Sequence, residues 1–237
     1  MKVLAIGNSF SQDATRYLHQ IAKADGVELT VVNLFIGGCN LFRHFRNIQR
    51  DLKEYILEFN GESTDFYVSV KEALLTNEWD VVTLQQASNL SPDFKTYRPY
   101  INELADYVRT YAPKAKLYIH QTWGYETGSP RIAGLKYSNY HEMFADIEKA
   151  YNQAFDAVKA DGIIRSGQLL GDLLNNGIEK VHRDTFHTAW GVGRYALALL
   201  WYKTLTGNSI SQNTFSDFDV PITEKEIEIA KRCVEQL

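Results

Sequence analysis

Four short apolar runs occupy the first half of this chain: residues 3–6 (VLAI), 28–36 (ELTVVNLFI), 80–84 (DVVTL) and 116–119 (KLYI). They are close to continuously apolar instead of alternating with polar residues, which marks strands covered on both faces. Segments with helical periodicity separate them. Residues 12–24 place Ala14, Tyr17, Leu18, Ile21 and Ala22 on one face and stop at Gly26, and residues 97–111 form an amphipathic stretch ending before Pro113. Strands alternating with helices predict an α/β fold, a mostly parallel sheet in a three-layer α/β/α sandwich.

The remaining segments fit that frame. Helices are expected over residues 41–49, 70–75, 137–160, 168–174, 189–205 and 222–234, the last capped by Thr223, with a short strand at 163–164. Residues 55–59 and 66–68 flank Asn60-Gly61 as a hairpin. Residues 124–134 and 175–186 read as loops. The 189–205 helix is strongly apolar, yet polar residues interrupt it too often for a membrane span. At 237 residues, with 45% hydrophobic and 23% charged residues, the chain has material for one sizeable core and is expected to form a single domain over 1–237.

Each buried run ends in polar or small residues: Asn8-Ser9 after the first, Gly37-Gly38-Cys39-Asn40 after the second, Gln85 to Asn89 after the third, His120 to Trp123 after the fourth. In a parallel sheet these ends share one rim, where ligands of open α/β sheets bind. Ser9 also stands where a strand turns into a helix, so helix-opening N–H groups lie beside its hydroxyl. The same residues would serve a plain tight turn with Ser11 as N-cap. Near the carboxyl end, Asp184 and His187 in DTFH are spaced for a carboxylate to reach an imidazole at the start of a helix, and His182 flanks Asp184 from the other side. A serine, a base and an orienting acid are the parts of nucleophilic acyl transfer. His182, Asp184 and His187 also offer ligand types that a divalent metal accepts, without an evident fourth.

The formal net charge of −4 provides no basic field for nucleic acid or an anionic membrane, so a small-molecule or carbohydrate substrate is the expected partner; the oligomeric state stays open. Cys39 and Cys233 are too far apart to suggest a metal or redox motif, and Cys39 reads as a small buried residue. No apolar stretch of signal-peptide length opens the chain, which as written reads as cytoplasmic; a chain whose leader has been removed would read the same. Trp123 and Tyr125, with Phe10 and Phe42, stand where sugar rings could stack, which would fit carbohydrate deacetylation, although in a chain with 14 Tyr and 12 Phe an aromatic at any one place is more often core than subsite.

IGNSFS, IGGCN, LQQAS and DTFH occur in the order of the sequence blocks of the SGNH hydrolases, the GDSL esterases and lipases, and the chain resembles that superfamily over nearly its whole length. The resemblance implies a flavodoxin-like fold and a serine hydrolase without cofactor or metal. Ser9 would be the nucleophile, with Asn8 replacing the usual acidic residue before it, and Asp184 and His187 would complete the triad. The N–H groups of Ser9 and Gly38 would form the oxyanion hole with a side-chain amide. The usual third-block asparagine is replaced by a glutamine-bearing run similar to a branch of the superfamily, with Gln86 the first choice of donor, Gln85 the second and Asn89 the third. Asn8, Phe10, Asn40, Asn89, Trp123 and Tyr125 are the expected substrate contacts. The rival from another class is a carbohydrate-binding domain of the same fold without catalysis.

Overall fold

The computed structural model describes all residues, 1–237. Strand β1 (Lys2–Gly7) leads into α1 (Ser9–Thr15) and α2 (Leu18–Ala24), then β2 (Thr30–Phe35) and α3 (Leu41–Arg50). The hairpin β3 (Tyr55–Phe59) and β4 (Glu62–Val68) follows, then α4 (Val70–Leu75), β5 (Val81–Leu84), a 3₁₀ turn (Phe94–Thr96) and α5 (Tyr100–Tyr111). β6 (Lys116–His120), α6 (Pro130–Gly134), α7 (Tyr140–Val158), β7 (Gly162–Ile164), α8 (Ser166–Asn175), α9 (Val192–Thr206) and α10 (Glu224–Glu235) complete the chain.

The seven strands form one sheet in the order β4-β3-β2-β1-β5-β6-β7. β2, β1, β5, β6 and β7 are mutually parallel, and β3 and β4 add antiparallel at the β2 edge. This is the expected mostly parallel α/β/α architecture. Because β1 lies between β2 and β5, successive crossovers leave it in opposite directions, and a crevice opens where it ends. The β3–β4 hairpin turns at Asn60 and Gly61, both with positive φ (51° and 89°), as the Asn-Gly pair predicts.

Burial explains the strand composition. β1 is buried from Val3 onward and β5 throughout, within one contiguous cluster of 65 buried apolar residues. α9 is apolar around most of its circumference because it packs against α1, α2, α8 and α10. No helix is long and apolar enough to cross a membrane.

Three expectations need correction. The helix expected over 12–24 starts earlier and is two helices, broken where Tyr17 leaves helical geometry (φ −112°, ψ 4°). Both halves keep their apolar face on the core, so periodicity does not register the break. Ser11 is not the N-cap of α1: Asn8 is, accepting from the Phe10 N–H at 3.0 Å. The 124–134 loop contains α6, announced by the Ser129 cap and Pro130 at its first position but too short to show a period.

Candidate active site

Ser9 is the first residue of α1, two residues beyond the end of β1. Its Oγ lies 2.7 Å from His187 Nε2, although 178 residues separate the two in sequence. His187 Nδ1 is 2.7 Å from Asp184 Oδ2. A carboxylate only accepts, so Nδ1 carries the proton and donates to Asp184, leaving Nε2 to accept from the Ser9 hydroxyl. Burial pushes the Asp184 carboxyl up, but the hydrogen bonds from the His187 ring and from the His187 and Phe186 N–H groups outweigh it, leaving the carboxyl below its ordinary value. An ionised Asp184 is what fixes that tautomer.

The DTFH stretch is a bent loop well ahead of α9, not the opening of that helix. Thr185 at its centre has φ 78°, a strained conformation for a β-branched residue. The bend lets Asp184 Oδ1 accept from the His187 N–H at 2.9 Å while Oδ2 takes the ring. Several contacts hold the loop against the sheet rim. Trp123 Nε1 donates to the Phe186 carbonyl at 2.8 Å, and the Glu126 N–H donates to Thr185 O at 2.7 Å. Arg183 Nη1 bridges Thr188 O at 2.6 Å and Asp13 Oδ2 at 2.8 Å. Asp13, fully buried on α1, also receives Arg194 Nε of α9 at 2.8 Å. The helix that carries Ser9 and the loop that carries His187 are thus joined through one carboxylate.

Asn8 joins the other half of the site. Its Nδ2 donates to Cys39 O at 2.9 Å, tying the Ser9 turn to the Gly37-Gly38 loop after β2. Gly38 has φ 62°, a conformation suited to glycine, and nothing lies within 4 Å of where a Cβ would stand. The N–H groups of Ser9 and Gly38 make no hydrogen bond within the chain, and both residues line one cleft of about 510 Å³. Two free N–H donors beside a hydroxyl are the elements of an oxyanion hole.

The glutamines lie elsewhere. Gln86 Nε2 donates to Thr96 O and Thr96 Oγ1 (3.0 and 3.1 Å), and its Oε1 accepts from the N–H groups of Leu41 and Ala87 (3.0 and 2.9 Å). Every amide position is used, so the longer stem clamps backbone and does not enter the cleft. Gln85 Nε2 donates to Asn8 Oδ1 at 2.7 Å and its Oε1 meets His120 Nδ1 at 2.7 Å. His120 Nε2 lies 3.1 Å from Ser166 Oγ, and burial pushes its imidazole down to about 3, so it is neutral. This buried relay fixes the orientation of Asn8. Of the three candidate amides only Asn89, exposed and without a partner in the chain, reaches the cleft wall.

Other expected contacts also move. Trp123 is completely buried and stacks beneath Phe10 (centroids 4.0 Å apart, planes 21°), so it supports the floor instead of meeting substrate. Asn40 caps α3, accepting from the Arg43 N–H at 2.8 Å. Phe42 is exposed but packs toward Tyr100, away from the cleft. His182 Nε2 meets the Gly124 carbonyl at 2.9 Å, so it does not join Asp184 and His187 in a ligand set. Burial pushes the Cys39 thiol up to about 12, which suits a packing residue and not a nucleophile. Asn8, Phe10, Asn89 and Tyr125 do line the cleft, the Tyr125 hydroxyl 2.9 Å from Ser88 Oγ. Phe35, Phe186 and Arg131 line it as well and were not singled out in the sequence. Phe186 stood beside His187 in DTFH; nothing in the sequence distinguished Arg131.

The family model of DUF4886, a domain of unknown function, matches residues 2–236. A DUF4886 family protein from Bacteroides uniformis superposes with a TM-score of 0.93 at 33% identity, covering 100% of this chain and 93% of that one. A Slackia heliotrinireducens protein described as a candidate SGNH hydrolase gives 0.64 at 22% identity, covering 86% and 98%. The psychrotrophic esterase EstA from Pseudoalteromonas sp. gives 0.54 at 12% identity, covering 87% and 97%. Comparison with curated proteins finds no match. At such low identity the latter two likenesses establish the fold alone. This chain belongs to the DUF4886 family and carries the fold of the SGNH hydrolases.

Proposed function

We propose that this protein is a serine esterase that removes short acyl groups, foremost acetyl, from a small or carbohydrate alcohol. The observation that carries the reading is the continuous line Ser9 Oγ, His187 Nε2, His187 Nδ1, Asp184 Oδ2, with 2.7 Å at both hydrogen bonds. Ser9 Oγ attacks the ester carbonyl while His187 takes its proton, and Asp184 stabilises the resulting imidazolium. The N–H groups of Ser9 and Gly38 receive the oxyanion, with the Asn89 amide as the third donor. Collapse of the tetrahedral intermediate releases the alcohol, protonated by His187. Water, activated by the same imidazole, then frees the acid from Ser9. No cofactor enters these steps. A cleft of about 510 Å³ with Phe35 and Phe186 on its wall suits a short acyl group together with part of the alcohol.

The reading is tested with a fluorophosphonate probe followed by peptide mass mapping. One adduct on Ser9, lost in Ser9→Ala, is the expected result. No adduct under conditions that label a reference serine esterase would favour a binding domain that keeps the fold without the chemistry.

A further inference from the structure

Arg131 is the one Lys, Arg, Asp or Glu residue on the wall of the Ser9 cleft. It stands there against a chain of net charge −4, so the cleft's charge is opposite to the molecule's. The acids of the flanking loops are engaged elsewhere: Glu126 with Lys180 at 3.8 Å, and Asp184 with His187 at 2.7 Å. The guanidinium has no ion-pair partner of its own and lies over the Phe186 ring, 4.0 Å from its centroid, with Tyr125 at 6.0 Å. A guanidinium over a ring keeps its edge of N–H donors available; apart from the Tyr125 hydroxyl nearby, no acceptor of the chain engages the exposed Arg131, whose fork matches a carboxylate, sulfate or phosphate. The Phe186 ring in turn packs on the His187 ring, with centroids 3.9 Å apart. Arg131 is therefore held one aromatic ring away from the base, a span a few bonds of substrate can bridge.

We propose that Arg131 is an anion-recognition residue, and that the ester this site takes carries a negatively charged group on its acid or its alcohol part, held by the Arg131 fork while Ser9 meets the carbonyl. The proposal rests on the esterase reading for the word ester, but the anion site stands on Arg131, Phe186 and the cleft. A bidentate, charge-assisted contact corresponds to about 10- to 100-fold in selectivity.

Two substrate pairs separate the possible positions of the charge. The mono-4-nitrophenyl ester of adipic acid against 4-nitrophenyl hexanoate places it on the acid, and 4-acetoxybenzoate against methyl 4-acetoxybenzoate places it on the alcohol. For one pair, the anionic-to-neutral ratio of kcat/KM is expected to be at least about tenfold in the wild type, to approach one in Arg131→Gln and to be intermediate in Arg131→Lys. The pair that responds assigns the position. Ratios in both pairs that Arg131→Gln leaves unchanged would overturn the proposal. Calorimetric titration with adipate and with 4-hydroxybenzoate reads the same site without chemistry. If no ester is turned over, the esterase reading fails on its own. A loss of affinity of about tenfold or more in Arg131→Gln would still support the anion site, and equal affinity for both anions in the two proteins would overturn it.

Discussion

His187→Ala is expected to lower kcat for 4-nitrophenyl acetate by at least about 10³-fold while changing KM little. The Ser9 hydroxyl has no other base within hydrogen-bond reach in the structure, since its bond is to Nε2 of this ring at 2.7 Å. General-base help typically contributes about 10²–10⁴, and the same imidazole must also activate the water that frees the acyl group from Ser9. Asp184→Ala should cost less. Its side chain is 45% exposed, so water can replace part of its interaction with the imidazolium, whereas nothing replaces the ring itself. Steady-state kinetics on purified variants with unchanged thermal melts checks both. A His187→Ala protein within tenfold of the wild type would mean that the observed line of hydrogen bonds is not the reacting one.

The largest effect on stability is expected at Asp13. Its carboxylate is fully buried, and burial pushes it above its ordinary value despite the Arg194 and Arg183 guanidiniums at 2.8 Å. Such a group adds little net stability compared with a well-packed apolar substitute, but removing it alone leaves the largely buried Arg183 without a carboxylate and Arg194 with Asp219 alone. Asp13→Ala should therefore cost about 3–5 kcal/mol of a total of about 5–15, lowering Tm by roughly 10 °C. Asp219, which shares Arg194 and pairs with Arg16, is partly exposed and its carboxyl is held down at about 2, so Asp219→Ala is expected to cost less than Asp13→Ala, about 1–2 kcal/mol. Activity should follow Asp13 as well, because Arg183 reaches from Asp13 to Thr188 O beside the base. Thermal or urea unfolding of the two variants tests the contrast, and equal small losses would contradict it.

The strands were legible because each parallel strand is covered on both faces and so reads as a dense apolar run. The Asn60-Gly61 hairpin was legible because few other pairs accept two successive positive φ values. The meeting of Ser9, Asp184 and His187 was foreshadowed by their places at one rim of such a sheet. The orientation of side chains beyond β5 was not. Gln86 and Asn89 both carry an amide near the rim, and only the path of the loop decides that one clamps Thr96 while the other faces the cleft. Trp123 departs from its expected place for a related reason: a residue just past a strand can point under the rim as readily as over it. Asp13 did leave a trace, a carboxylate in step with Phe10 and Ala14 on the buried face of the first helix, whose meaning depends on arginines 170 and 181 residues away. Arg131 left none, since an arginine in a loop is ordinary until its partners are known.

The most direct measurement of the central claim is the rate of 4-nitrophenyl acetate hydrolysis by the wild-type protein and by Ser9→Ala at equal concentration. Turnover by the wild type, with Ser9→Ala reduced to the uncatalysed background, is the predicted result. Equal rates for the two proteins would show that the hydroxyl at the end of β1 is not the nucleophile.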